Sequence, residues 1–197
     1  LVISRKLRIF IAEDEAIILR RFMDKVRSMG HEVVGTALNG LDAEKGIDQK
    51  EPDMVLIDIN MPGKDGLTVV RETCAPKQIP AIIITGHYSE ELMERANHEC
   101  VFAYLMKPVD HQQLEAAINV AWSKYEQYLD TCAEAKQLKE NLANRIIVER
   151  AKGILMDSFG LKESEAMNRL QKMSKDKNKK LVNIAKEIVE KAKLLGM

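Results

Sequence analysis

Proline is scarce in this chain, and none of its five prolines lies beyond Pro108, so nothing after that point carries the residue that most strongly breaks a helix. Cysteine is equally thin. Cys74, Cys100 and Cys132 are odd in number and lack CxxC spacing, which excludes a disulfide framework or a zinc ribbon and fits a reducing cytosol. Long apolar runs are missing as well. Pure stretches such as Ala81-Ile82-Ile83-Ile84 are the size of a strand and far short of the roughly 18 residues a membrane span needs. The first residues have no charged region leading into an apolar segment, which argues against a secretory leader. The chain opens on Leu1 rather than Met, so where its natural start lies is left open. His31-Glu32 begins a zincin-like pair, but Gly35 stands where the second histidine belongs, which argues against a metal hydrolase. Beyond Tyr128 the only aromatic residue is Phe159, so no platform of several rings is available there for stacking bases.

What is present is ordinary globular composition, 46% hydrophobic and 30% charged, with a formal net charge of zero that conceals a split. Residues 1–120 carry 14 basic against 19 acidic side chains, whereas residues 136–197 carry 15 basic against 8 acidic. An acidic front and a basic rear point to two modules with different partners.

The front alternates strand-like and helix-like segments. Leu7–Ile11, Glu32–Ala37, Met54–Asp58, Ala81–Thr85 and Phe102–Met106 are short β-branched or apolar runs. Between them lie helical spacings such as Ile17, Ile18, Phe22, Val26 and Met29. Five such repeats predict an α/β domain with one doubly wound, five-stranded parallel sheet over residues 1–120, covered on both faces. After Pro108 the pattern becomes helical throughout. Leu114, Ile118, Ala121, Tyr125, Tyr128, Cys132 and Ala135 alternate by four and three, which is a heptad seam on a linker helix over residues 110–142. The seam reads either as a helix lying on its own domain or as one that pairs with a second copy. Pairing is preferred, because three heptads run past the expected domain end. Residues 136–197 read as a small all-α unit of three helices: one closing at Gly160, one over Glu163–Met173 and one over Leu181–Leu195. Lys175 to Lys180 forms a polar joint between the last two.

Ligands of parallel sheets gather beyond the carboxyl ends of the strands. There the sequence places Glu13 and Asp14 after the first strand, Asp58 at the end of the third, Thr85 at the end of the fourth and Lys107 after the fifth. Three converging carboxylates repel one another unless a cation sits among them, and hard oxygen ligands suit Mg2+. A carboxylate beside Mg2+ can attack a phosphoryl donor and become an acyl phosphate, with Thr85 and Lys107 holding the phosphoryl oxygens. For the basic rear, spacing alone leaves DNA binding, protein docking and RNA binding all open.

Two stretches add a resemblance. Ala12-Glu13-Asp14-Glu15, Asp58-Ile59-Asn60-Met61-Pro62 with Gly63 and Gly66, Thr85-Gly86 and Tyr104-Leu105-Met106-Lys107-Pro108 resemble the receiver domain of bacterial two-component response regulators. The resemblance implies a flavodoxin-like fold, Asp58 as phosphoacceptor, and Mg2+ held by Glu13, Asp14, Asp58 and the backbone carbonyl of Asn60. It further implies Thr85 and Lys107 at the phosphoryl group, Tyr104 as an aromatic that moves with Thr85, and a surface around the fourth helix and fifth strand that changes on activation. Arg145-Ile146-Ile147-Val148-Glu149-Arg150-Ala151-Lys152-Gly153-Ile154-Leu155-Met156 is similar to the ANTAR domain, an RNA-binding antiterminator module. That likeness continues through Gly160, Glu165-Ala166, Leu170, Ser174, Asn178, Lys180-Leu181 and Ile184-Ala185. It implies that Arg145, Lys152, Lys175, Lys177, Asn178, Lys179 and Lys180 face RNA, mostly at phosphates.

Together these readings lead to a cytoplasmic regulator that a sensor histidine kinase phosphorylates at Asp58. It pairs as a homodimer through Ile118, Ala121, Tyr125, Tyr128, Cys132 and Ala135, binds hairpins in nascent mRNA and prevents transcription termination. Its phosphoryl chemistry is single-turnover, so no turnover enzyme is expected, and no membrane partner is implied. The alternatives are output through DNA binding or phospho-dependent protein docking.

Overall fold

The computed structural model describes residues 5–86 and 100–194, with side chains described to residue 192. Five strands form one sheet: β1 (Arg8–Ala12), β2 (Glu32–Ala37), β3 (Met54–Asp58), β4 (Ala81–Thr85) and β5 (Val101–Met106). Their order is β2-β1-β3-β4-β5, and every neighbouring pair is parallel. The doubly wound parallel sheet expected from the alternating runs is therefore what the chain forms. β3 and β4 are buried along their whole length, which is why both read as unbroken apolar runs rather than alternating ones.

The two faces of the sheet carry separate cores. One gathers Phe10, Val55, Ile57 and Ile83 with Ile47 of α2 (Gly40–Lys50) and Leu67, Val69 and Val70 of α3. Helix α3 opens as Gly66–Val69, continues through a π-helical turn at Val70–Cys74 and ends at Ala75–Lys77. The other core gathers Ile9, Ile11, Leu56, Ile82 and Ile84 under α1 (Ala16–Ser28) and the first turns of α4 (His111–Phe159). In α1 the core positions are Leu19, Phe22 and Val26, whereas Ile17 is 73% exposed. Ile17 does not share the apolar face its spacing suggests, since Leu19 and Phe22 set the stripe three residues apart and Ile17 falls outside it.

The 49 residues of α4 contribute to two compact units, Leu1–Leu129 and Asp130–Met197. In the first, Leu114, Ile118, Ala121 and Trp122 are buried against the sheet, and Tyr125 packs partly beside them. The Phe102 ring meets Tyr125 edge-on at 5.7 Å and Tyr128 at 6.1 Å. The opening part of the expected pairing seam thus lies against the sheet of its own unit, and Ile118 and Ala121 are not available to a second copy. A heptad pattern records only that one helical stripe is apolar. The beginning of this stripe already has a partner within its own chain.

In the second unit the end of α4 packs with α5 (Glu163–Asp176) and α6 (Leu181–Leu194) around Ala151, Leu155, Ala166, Leu170, Ile184, Ala185 and Val189. Gly160 follows α4 with φ of +64°, a left-handed cap that glycine adopts without steric cost. Lys162 stands at the N-cap of α5 and brings no capping oxygen. The Glu165 carboxylate accepts its backbone N–H at 2.8 Å and supplies half of a capping box instead. The reading of the last helix to Leu195 ends outside the described residues, and the expected fourth helix with its part of the switch surface also lies outside them.

Candidate functional site

The site stands where the strand ends converge. Glu13 follows β1, and its backbone N–H donates to the Ala37 carbonyl at 3.0 Å, which holds the turn after β1 beside the end of β2. Asp58 closes β3 opposite Ile84, and the Lys107 N–H donates to the Thr85 carbonyl at 2.8 Å, so β4 and β5 remain paired up to the site. Gly66 opens α3 under Asp58. A Cβ there would lie 2.0 Å from the Asp58 carbonyl oxygen, so only glycine permits this approach. Gly63, at φ of +81°, turns the intervening loop.

Four of the five expected groups are buried or nearly so. Glu13 is 1% exposed, Asp58 4% and Thr85 8%, while Asp14 reaches solvent. The Lys107 ammonium donates to Glu13 Oε1 at 2.7 Å and to Asp58 Oδ2 at 2.6 Å. Asp58 Oδ1 accepts the Asn60 N–H at 3.3 Å. Glu13 Oε2 is buried and has no hydrogen-bond partner among the described residues. An orphaned carboxylate oxygen is costly, and this one lies in a group, Glu13, Asp14 and Asp58, whose oxygens fall within 4.8 Å of one another. Such a set of hard oxygen donors around an unsatisfied acceptor fits a divalent cation of the Mg2+ type.

The electrostatics agree with that fit. Burial, reinforced by the Asp58 charge, holds the Glu13 carboxyl above its usual range despite its bond to Lys107. Burial also works against the Lys107 ammonium, but its hydrogen bonds to Asp58 and Glu13 outweigh that penalty, and its pKa lies above the ordinary lysine value. Tyr104, half-buried on β5 against the α2–α3 core, has its hydroxyl pushed up to about 12 by burial and then by nearby Cys100.

One contributor left no mark in the sequence. The Lys25 ammonium of α1 donates to the Val109 carbonyl, tying α1 to the loop that carries Lys107. The two residues lie 84 apart, so no local spacing could have paired them.

In the second unit the expected RNA-facing residues separate into two groups. Arg145, Lys175 and Lys180 are exposed and have no carboxylate partner among the described residues. Lys152 is 8% exposed, and its ammonium bridges Glu149 at 2.8 Å and Glu163 at 2.7 Å. The expectation that Lys152 faces RNA therefore meets an ammonium already engaged between α4 and α5. Glu149 could have been read from its three-residue helical spacing, but Glu163 only from the fold. Lys177 and Lys179 both pair with Glu187, at 3.1 and 2.5 Å, and Asn178 sits between them with φ of +49° at the turn between α5 and α6.

Comparison with known proteins agrees with this architecture. Residues 9–119 match the family described as the response regulator receiver domain. The signal receiver domain of a modulated diguanylate cyclase from Desulfovibrio desulfuricans G20 superposes with a TM-score of 0.59 at 28% identity, covering 63% of this chain and 99% of that one. A LuxR-family DNA-binding response regulator from Staphylococcus aureus superposes at 0.52 with 33% identity, over 58% of this chain and 98% of that one. The chain belongs to the response regulators, with an N-terminal receiver. Its second unit, over residues 136–189, matches the ANTAR domain. The whole arrangement is similar to the transcriptional regulatory protein PdtaR of Mycobacterium tuberculosis, 33% identical over 183 residues that cover 93% of this chain and 89% of that protein. No helix among the described residues is long and apolar enough to cross a membrane.

Proposed function

We propose that this protein is a phosphorylation-activated, cytoplasmic antiterminator that binds RNA hairpins in nascent mRNA. The observation that carries the reading is the Lys107 bridge between Asp58 and Glu13 beside an orphaned Glu13 oxygen, in a chain that also bears an ANTAR unit. Glu13, Asp14 and Asp58, with the Asn60 carbonyl, would hold Mg2+, which supplies positive charge to a phosphoryl group in flight. An Asp58 carboxylate oxygen attacks the phosphorus of a phosphohistidine on a sensor kinase. The O–P bond forms, the P–N bond breaks, and the imidazole leaves with a proton from solvent. Lys107 then exchanges its contact with Asp58 for one with the phosphoryl oxygens, and the Thr85 hydroxyl donates to another. The dianion draws Thr85 inward, and Tyr104 follows it. Asp58 carries one phosphoryl group per cycle, so the chain acts as a switch rather than a turnover enzyme.

The output follows from pairing. A homodimer presenting two ANTAR units to two hairpins gains from effective concentration, so phosphorylation need shift only a monomer–dimer balance. Arg145, Lys175 and Lys180 are the cations freest to meet phosphates, with Lys177 and Lys179 available once they exchange Glu187 for RNA. The test is fluorescence anisotropy of a two-hairpin RNA with duplex DNA as competitor, with and without Mg2+ and a small phosphodonor. Tight RNA binding that requires the donor, and that is lost in D58A together with labelling, supports the reading. Labelling of D58A at a single site overturns the phosphoacceptor, and equal binding of duplex DNA moves the output to DNA.

A further inference from the structure

The ANTAR unit contains a cavity that neither the phosphoryl switch nor the proposed RNA face uses. It has a volume of about 350 Å³ and opens between the C-terminal turns of α4, the middle of α5 and the end of α6. That volume lies within the roughly 300–1,000 Å³ typical of small-molecule sites. Its floor is apolar, made of Ile154, Leu155, Met173 and Ala192. Leu155 and Ala192 are each only 5% exposed, and Leu155 belongs to the unit's core with Ile154 and Met173 packed against it. Phe159 forms one lip and is 56% exposed, unusual for a ring so close to a core with room beside it.

The charged groups at this cavity are both basic. Arg169 and Lys191 line it together with the Ser158 hydroxyl, and no acidic side chain among the described residues does. The Arg169 guanidinium carbon stands 4.1 Å over the Phe159 ring, a stacking that fixes the planar cation at the mouth. A guanidinium stacked on a ring keeps its N–H donors in its own plane, where a carboxylate can take two of them. Neither Arg169 nor Lys191 has a carboxylate partner among the described residues, whereas Lys152, Lys177 and Lys179 of the same unit are all paired internally. An apolar trough ending at two unpartnered cations is complementary to a molecule with an apolar body and one anionic end.

We infer that this groove binds a small apolar carboxylate, its hydrocarbon part over Leu155, Met173 and Ala192 and its carboxylate at Arg169 and Lys191. Such a site would give the output unit an input of its own, separate from Asp58. The proposal does not rest on RNA binding, and it stands or falls independently of the phosphoryl switch. A nucleobase suits the groove less well, because its polar edges would face aliphatic side chains over most of the floor.

The test is isothermal titration of the full-length chain with decanoate and, separately, with decanol, which offers the same apolar body without the charge. One decanoate is expected per chain, bound about tenfold or more tightly than decanol, as befits a charge-assisted contact. R169Q and K191Q, both at exposed positions, should lose that preference while leaving decanol binding unchanged. S158W, which fills the mouth from an exposed position, should abolish binding of both without altering the helical circular dichroism signal. Equal affinity for decanol and decanoate, or full decanoate affinity in R169Q, overturns the proposal. So does displacement of decanoate by a hairpin RNA, which would assign the groove to the nucleic-acid face.

Discussion

Gly66 and His31 are two single residues on which the receiver's geometry depends in different ways. At Gly66 the dependence is steric, because α3 begins against the carbonyl of the phosphoacceptor itself. In G66A the new methyl would meet that oxygen at 2.0 Å, so either the strand end or the helix start must move. Overpacking of this kind costs about 1–3 kcal/mol. Trp122 is the chain's only tryptophan and is buried in the receiver, so its fluorescence in urea reports that unit alone. G66A should lower the urea midpoint and slow labelling from a small phosphodonor together; normal labelling in a destabilised chain would separate Gly66 from the site. At His31 the dependence is on charge. Its Nδ1 accepts the Leu7 N–H at 3.3 Å, and burial holds its pKa below the ordinary value of 6.5 despite the attraction of Glu115. The unfolded chain therefore binds this proton more readily than the folded one. The stability from a neutral His31 is present above pH 6.5 and is lost as pH falls through the lower folded pKa. In H31N the amide keeps an acceptor for Leu7 and does not titrate. Its Trp122-monitored midpoint should fall less than the parent's between pH 7.5 and pH 5, and parallel pH profiles would show that His31 does not govern the slope.

Elements were legible in the sequence where their signal was local. β3 and β4 coincide with the apolar runs because a strand buried on both faces must be apolar at every position, and few other structures require that. The acidic and basic residues of the site were legible because a parallel sheet carries successive strand ends to one edge. The phase of α1 was not, since Ile17 and Leu19 are equally apolar and only the neighbouring elements decide which is covered. Lys152 shows a related limit: its spacing from Arg145 places both on one helix face, but Glu163 of another helix pairs with its ammonium. This distinction can be measured. Each phosphate contact removed from a single-stranded or loop RNA lowers the salt slope of binding by about 0.7. K175Q and K180Q should each flatten the slope by about that amount. K152Q should leave the slope near the parent value and instead lower the melting temperature of the α4–α5–α6 unit. A slope change in K152Q equal to that in K175Q would mean that the lysine exchanges its carboxylates for RNA on binding.

For the molecule as a whole, the question is which part of α4 remains for a second copy. The face of α4 that carries Leu114, Ala117, Ile118 and Ala121 is buried in the receiver, so a pairing surface along this seam must begin later in the helix. There Leu138, Leu142 and Ile146 are 69, 61 and 59% exposed and recur every four residues, leaving an apolar stripe uncovered in the single chain. Cys132 precedes this stripe at a heptad position and is partly exposed, whereas Cys74 and Cys100 are buried. In a parallel, in-register pair, equivalent heptad positions face one another across the seam, which brings the two Cys132 side chains within the range a disulfide can span. Mild oxidation in the presence of Mg2+ and a phosphodonor should therefore yield a covalent dimer that reductant reverses. The same treatment of D58A or C132S should leave a monomer on a non-reducing gel. A dimer that forms equally in D58A would show that pairing precedes phosphorylation, so control would act on the receiver's orientation within a standing dimer rather than on association. A monomer in the parent chain, with Asp58 fully labelled, would remove parallel pairing through Cys132. The exposed leucines would then have to meet a partner in another register or of another kind.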